Sequence, residues 1–541
     1  NPNSEIRKKL KFLATSKNDT LPVVENDPVK PEDITFFDPC MGSGHILAYA
    51  FDVLMEIYRE CGWSDKDAAI SIVENNLYGL EIDERAYQLA YFSIMMKGCF
   101  YNRRFLRAKV NNHISYYIET NDIHSLSYEG MKETDDMKTI SKYLLSTFKD
   151  AKELGSLIEV KPLDFITYRN KLEEIYNNAD YTMDSMEWID DKYPIALKLI
   201  KQADILSRKY IATVTNPPYM SKMEGILKKF VTTNYKDYSS DLFAVFVRRN
   251  FDFTQEKGYL GFMTPFVWMF IKSYEKLREF IINNKSIATL VQMEYSAYEE
   301  ATVPICSFVL ENKKTNELGY YFRLSDFKGG MDVQKEKVLE ATSNKNCGYF
   351  YETNANNFSK IPGSPIAYWL SQNFINIFKN NVISDFAIAC VGLQTSDNQR
   401  FVRLWYEIDL NKIGFNIPSI DESIKSQKKW FPYNKGGGYR KWYGNTVNVV
   451  NWEQNGVEIR KYNEYLNSSR SSNIGIANTQ YYFRESGTWG LVSSAKFSVR
   501  YSPIGSIFDT GGSSLFSEDK IKYYIGLLNS CISETVMRIQ N

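Results

Sequence analysis

A chain of 541 residues exceeds what one compact core supports and predicts about two or three domains. Its 65 Lys and Arg balance its 65 Asp and Glu, so no overall field favours a polyanion and any pull on phosphates must come from local clusters. His45, His113 and His124 all lie in the first quarter, which excludes a histidine-based nuclease or a Ser/His/Asp triad from the remainder.

Cys40, Cys61, Cys99, Cys306, Cys347, Cys390 and Cys531 form no CxxC pair, against a zinc site or a disulfide framework. No metal is expected. The longest apolar stretch, residues 259–271, contains Pro265 and falls short of the roughly 20 residues a spanning helix needs, so no membrane contact is expected. The polar, Lys-rich start lacks the apolar core of a signal peptide, and the expected setting is cytoplasmic.

In chain order, residues 34–37 read as a buried strand broken by Asp38-Pro39, and the apolar spacing of 44–60 predicts a helix. A helix near 67–74, a strand at 77–80 ending in Glu81, a helix over 84–97 and a strand at 113–119 follow. This alternation implies a parallel sheet covered by helices. The charged, mostly helical span before the strand at 210–215 reads as an inserted subdomain. Beyond a polar stretch to Ser240 come a helix at 241–253, a strand at 259–264, a helix at 274–282 and strands at 287–292 and 303–310. The result is a sheet of about seven strands, the last antiparallel. Past Glu311 the sequence turns richer in aromatics, Gly, Asn and Ser, as expected of a separate mixed α/β domain.

The turn Asp38-Pro39-Cys40-Met41-Gly42-Ser43-Gly44 opens a helix, where glycines let the backbone approach a ligand closely. It lacks the third glycine of a dinucleotide fingerprint. Glu81, after the next strand, can accept hydrogen bonds from ribose hydroxyls, and Asn121 and Asp122, after the third strand, are candidates for an adenine edge; the alternative for that pair is a solvated turn. Cys40 sits beside the turn rather than on a catalytic loop and reads as a small packed residue.

The strand 211–215 delivers Asn216-Pro217-Pro218-Tyr219. An amine conjugated to a ring is a poor nucleophile, and an acceptor at each N–H polarises it. The Asn216 side-chain oxygen and the Pro217 carbonyl are such acceptors. The prolines remove competing donors, and Tyr219 offers a stacking face. On its own such a stretch is most often just a proline-stiffened turn with a packed Tyr.

Together FFDPCMGSGHIL, LYGLEID and NPPY resemble the cofactor, ribose and catalytic loops of the amino-methyltransferases that act on DNA adenine. AKELGSLI, SSDLFAVFVRR, GYLGFMTPFVWM and PGSPIAYW narrow the resemblance to the PglX family of BREX phage-exclusion methyltransferases. The resemblance implies S-adenosylmethionine held by Asp38, Pro39, Met41, Gly42, Gly44, Glu81 and Ile82, and a flipped adenine of double-stranded DNA held by Asn216, Pro217, Pro218 and Tyr219. It implies an α/β fold: a Rossmann-like, seven-stranded methyltransferase sheet over 34–124 and 206–312, a helical insertion over 125–205, and a mixed α/β target-recognition domain over 320–541. Residues 1–33 are then the end of a larger helical region, the chain is a piece of a longer protein, and other phage-defence proteins are candidate partners. In relatives an aromatic before the last strand closes the far face of the base; residues 301–304 supply none, which leaves Tyr298.

Within 320–541, Lys435, Tyr439, Arg440 and Lys441 belong to a run of interleaved basic and aromatic residues suited to phosphates, against a solvated loop as the plain alternative. Gln394 and Arg400 are candidates for reading base edges. The competing functions are a fused restriction and modification enzyme, for which Glu311-Asn312-Lys313 is the one suggestive nuclease fragment, a protein-glutamine or RNA-guanine methyltransferase, and a non-catalytic DNA-binding scaffold.

Overall fold

The computed structural model describes residues 4–16, 29–179, 182–295, 303–468, 475–491 and 496–540. They fall into two units, Asn1–Ser371 and Gln372–Asn541. None of the described helices is long and apolar enough to cross a membrane.

The first unit is built on a sheet of nine strands: β1 (Phe36–Asp38), β2 (Leu77–Glu81), β3 (His113–Tyr116), β4 (Tyr210–Thr215), β5 (Thr254–Pro265), β6 (Ser286–Gln292), β7 (Ile305–Glu311), β8 (Gly319–Arg323) and β9 (Phe350–Thr353). Their order is β3-β2-β1-β4-β5-β7-β6-β8-β9. The first five are parallel, and β7 runs antiparallel to both β5 and β6, as its place in the sequence predicts. The strand order reverses between β1 and β4. Loops leaving the carboxyl ends of those two strands diverge there and open a crevice.

Helices His45–Glu60, Asp65–Ser71 and Glu84–Tyr101 cover one face around Leu47, Phe51, Leu77 and Ile114. The span expected as a separate subdomain covers the other. Its helices Asp135–Thr147, Phe165–Asn177 and Tyr193–Ser207 share one core with Phe37, Tyr78, Tyr210 and Phe253. Gln202 fastens the last of them to the end of β3, donating to the Tyr116 carbonyl at 2.7 Å and accepting from the Ile118 N–H at 3.3 Å.

Two strands lie beyond the predicted seven. β8 pairs in parallel with β6 and β9 in antiparallel with β8, so residues 319–353 extend the first sheet rather than begin the second unit. The division of the chain therefore falls at 371/372, not near 320. In 1–33 the described residues include one helical turn, Ile6–Lys9, tied to the first long helix by the Lys9–Glu56 ion pair.

The second unit holds two four-stranded sheets. One joins Ile388–Cys390, Ser514–Phe516, Ser486–Thr488 and Arg500–Ser502; the other joins Val402–Leu404, Asn448–Asn451, Trp430–Asn434 and Ile507–Phe508. Phe431, Trp452, Phe483 and Phe508 fill its main core.

Candidate active site

Strand β1 ends at Asp38, whose Oδ1 accepts from the Cys40 N–H at 3.1 Å and bends the chain into the glycine turn. Gly42 and Gly44 both adopt positive φ, +52° and +82°. At Gly44 the reason is also steric, because a Cβ would sit 2.8 Å from Ala90 Cβ on the helix Glu84–Tyr101. At Gly42 a Cβ would meet nothing within 4 Å, so the space above it is open for a ligand to approach the backbone. Glu81 braces this turn from β2: Oε2 accepts from the Gly42 N–H at 2.8 Å, and Oε1 accepts from the Ile82 and Asp83 N–H groups at 2.9 and 3.1 Å. The carboxylate is thus oriented by three backbone donors while Oε2 keeps a lone pair for a hydroxyl.

Strand β4 delivers Asn216 beside it. Pro217 is buried, whereas Asn216, Pro218 and Tyr219 are exposed. The Tyr219 hydroxyl lies 2.7 Å from Asn216 Oδ1 and 3.1 Å from the Met263 carbonyl on β5. Having one proton, it can move from one acceptor to the other. The Tyr219 ring stands edge-on to Phe243, 6.3 Å between centroids. Asp241 accepts from the Met220 N–H at 2.8 Å and caps the helix Leu242–Phe253, fixing the far end of the loop.

Both loops open into one cleft of about 640 Å³, within the size range of small-molecule sites. Pro39, Cys40, Glu81, Ile82, Asn216 and Pro218 line it. A third wall, residues 152–157, comes from the segment Ala151–Ile158, which the sequence offers only as part of a resemblance. Asn121 and Asp122 are not among the lining residues. Asn121 instead exchanges two hydrogen bonds with Asp150, each 2.9 Å, and so anchors the start of that wall. Met41 is packed in the core and contributes its N–H to the Leu80 carbonyl. Tyr298 lies outside the described residues.

Burial raises the Asp38 carboxyl to about 7, with Glu81 adding to the rise and Thr215 and the Cys40 N–H opposing it. The Thr215 hydroxyl faces Asp38, yet neither it nor Oδ2 makes a hydrogen bond of ordinary geometry. Burial likewise pushes the Cys40 thiol well above its usual range, reinforced by Asp38 and Glu81, so a thiolate is disfavoured there. Among the described residues no cluster of three or more His, Cys, Asp or Glu is arranged to hold a metal ion.

Residues 75–298 match the family model of the Eco57I restriction-modification methylase. Over 546 residues the chain is 37% identical to the adenine-specific methyltransferase PglX of Lacticaseibacillus casei (strain Zhang), which covers 98% of this chain and 44% of that protein. It is 33% identical over 571 residues to the adenine-specific methyltransferase BrxX of Escherichia coli O9:H4 (strain HS), covering 98% of this chain and 45% of that one. The chain is a relative of PglX and BrxX. It spans less than half the length of these two curated relatives. Among solved structures, a nuclease-deletion mutant of the Type ISP restriction-modification enzyme LlaGI, in complex with a DNA substrate mimic, aligns with 93% of this chain and 42% of its own at 12% identity and a TM-score of 0.48.

In the second unit, the residues expected to meet DNA divide by their surroundings. Tyr439 and Arg440 stand exposed on a loop with Trp442 and Tyr443, and Lys435 is half-buried at its start. Lys441 points inward, its Nζ donating to the Asn529 carbonyl at 2.8 Å. Arg400 closes on Glu458 at 2.7 Å and lies over the Phe401 and Tyr462 rings. The Gln394 carbonyl takes the Asn463 amide, which leaves the exposed Gln394 side chain outward.

Proposed function

We propose that the chain carries the core of an adenine-specific DNA methyltransferase of a phage-defence system, in which a methyl group passes from S-adenosylmethionine to the exocyclic 6-amino group of a flipped adenine. The observation that carries this reading is that Asn216 and Glu81 open into one cleft at the point where the strand order reverses. When bound, the cofactor supplies an electrophilic methyl on a sulfonium. Glu81, oriented by three N–H groups, suits its ribose; Gly42 leaves room for its close approach.

On the acceptor side, Asn216 Oδ1 and the Pro217 carbonyl accept hydrogen bonds from the two amino N–H groups and raise electron density on nitrogen; the methyl leaves S-adenosylhomocysteine behind, and the methylated amine then sheds one proton to solvent. Withdrawal of the Tyr219 hydroxyl to the Met263 carbonyl frees Asn216 for that role without leaving the hydroxyl unpaired. The Tyr219 ring offers one stacking face, worth about 1–3 kcal/mol, which offsets the few kcal/mol of extruding the base. The second unit supplies the DNA contacts that choose the site. The natural setting is the cytoplasm, with double-stranded DNA and other proteins of the defence system as partners.

The test is sequencing that detects modified bases, on DNA from cells carrying the full-length protein or its Asn216→Ala variant, paired with calorimetry of S-adenosylmethionine binding. Wild type leaves 6-methyladenine at a defined sequence. The variant leaves none while still binding the cofactor. Modification that persists in the variant would remove Asn216 from the chemistry.

A further inference from the structure

The helix Leu242–Phe253 reaches both halves of the cleft through two residues that themselves line neither. At its start Asp241, 8% exposed, holds the Met220 N–H, and the Leu242 N–H returns a 3.1 Å bond to the Met220 carbonyl. The chain leaving Tyr219 is thereby clamped on both backbone groups. Two turns further on Arg249 is 5% exposed, an unusual place for a charge unless its donors are matched.

They are matched by the third wall of the cleft. Arg249 Nε donates to the Ser156 carbonyl at 3.2 Å and Nη2 to the Ile158 carbonyl at 2.7 Å, with the guanidinium 4.3 Å over the Phe253 ring and Asp252 Oδ2 at 3.6 Å. These carbonyls lie in and just past the single 3-10 turn Gly155–Leu157, which Gly155 enters at φ +52° and ψ −136° and which is too short to pair them, so Arg249 supplies partners the backbone does not. Ser156 passes the link on: its hydroxyl donates to the Pro39 carbonyl in the cofactor turn at 2.6 Å and receives the Tyr117 hydroxyl at 2.8 Å.

We infer that Arg249 and Asp241 are positioning residues, and that this one helix sets the separation between methyl donor and acceptor amine. Arg249 acts through Ser156 on the cofactor turn, and Asp241 acts through Met220 on the base loop. The inference rests on the function proposed above.

It predicts a split in two measurements on the purified chain: calorimetric affinity for S-adenosylmethionine, and initial methyl incorporation into unmethylated genomic DNA at saturating cofactor. Arg249→Met weakens cofactor binding about tenfold or more, Ser156→Ala does so to a smaller degree, and Arg249→Lys, which keeps the charge but not the fork, falls between. Asp241→Ala keeps cofactor affinity within about twofold while the saturated rate drops about tenfold, and Asp241→Asn, which retains the acceptor oxygen, recovers most of it. Thermal melting accompanies each variant. Should Arg249→Met fail to fold, Ser156→Ala decides, since it spares both carbonyl partners of the guanidinium. Cofactor affinity unchanged in Ser156→Ala and Arg249→Met, or affinity and rate falling together at both ends of the helix, overturns the inference. A wild-type chain that binds no S-adenosylmethionine instead overturns the proposed function.

Discussion

Asp38 shows how one side chain couples folding to proton uptake. It is fully buried, and its carboxyl is raised from 3.8 to about 7. Between those values the native state holds a proton that the unfolded chain has lost. Stability therefore falls as pH rises through that window, by up to about 1.4 kcal/mol per pH unit from this group, and levels off above it. Asp38→Asn removes the slope. Urea unfolding of both proteins at a series of pH values checks this, and parallel curves would mean that Asp38 is ionised throughout. At the same scale the sequence announces Asn216 and Glu81 by type and spacing, because each sits at a strand end where the chain must break. It does not announce Arg249, which in LFAVFVRRNFDF is indistinguishable from its half-buried neighbour Arg248 until the fold buries one of the two.

Elements were legible where their period was strong. His45–Glu60 and Leu242–Phe253 lie within a residue of their expected limits, since apolar spacing and a break at the start define them. The helix Gly225–Asn234 falls within what the sequence presents as a polar stretch, because only Val231 of its ten residues is buried and its pattern is faint. The two glycines of the proposed cofactor turn separate a structural need from a functional one. Gly44→Ala would drive a methyl into Ala90 of the neighbouring helix at a positive φ, which predicts a loss of about 1–3 kcal/mol from overpacking on top of a backbone cost of about 1–2 kcal/mol. Gly42→Ala carries only the backbone cost of about 1–2 kcal/mol, yet its methyl enters the open space, so cofactor affinity falls about tenfold or more. Chemical denaturation and calorimetry on the two variants resolve this. Equal destabilisation, or unchanged cofactor binding in Gly42→Ala, contradicts it.

For the whole molecule, the composition change after Glu311 precedes the division at 371/372, because β8 and β9 carry an aromatic, alternating character while their register belongs to the first sheet. Neutral net charge leaves any attraction for DNA to local loops, and the exposed stretch around Tyr439 and Arg440 is the one proposed for it. Phosphate contacts act through counterion release, so each one contributes about −0.9 to the slope of log affinity against log salt. Lys435→Ala and Arg440→Ala should each reduce that slope by about 1 and weaken binding evenly across sequences. Trp442→Ala, which removes a ring 56% exposed on the same loop but no charge, should lower affinity with the slope intact. Fluorescence anisotropy with DNA duplexes over a salt series distinguishes the three variants. If both charge variants keep the wild-type slope, the loop does not meet the phosphate backbone and the DNA-facing surface of this unit lies elsewhere.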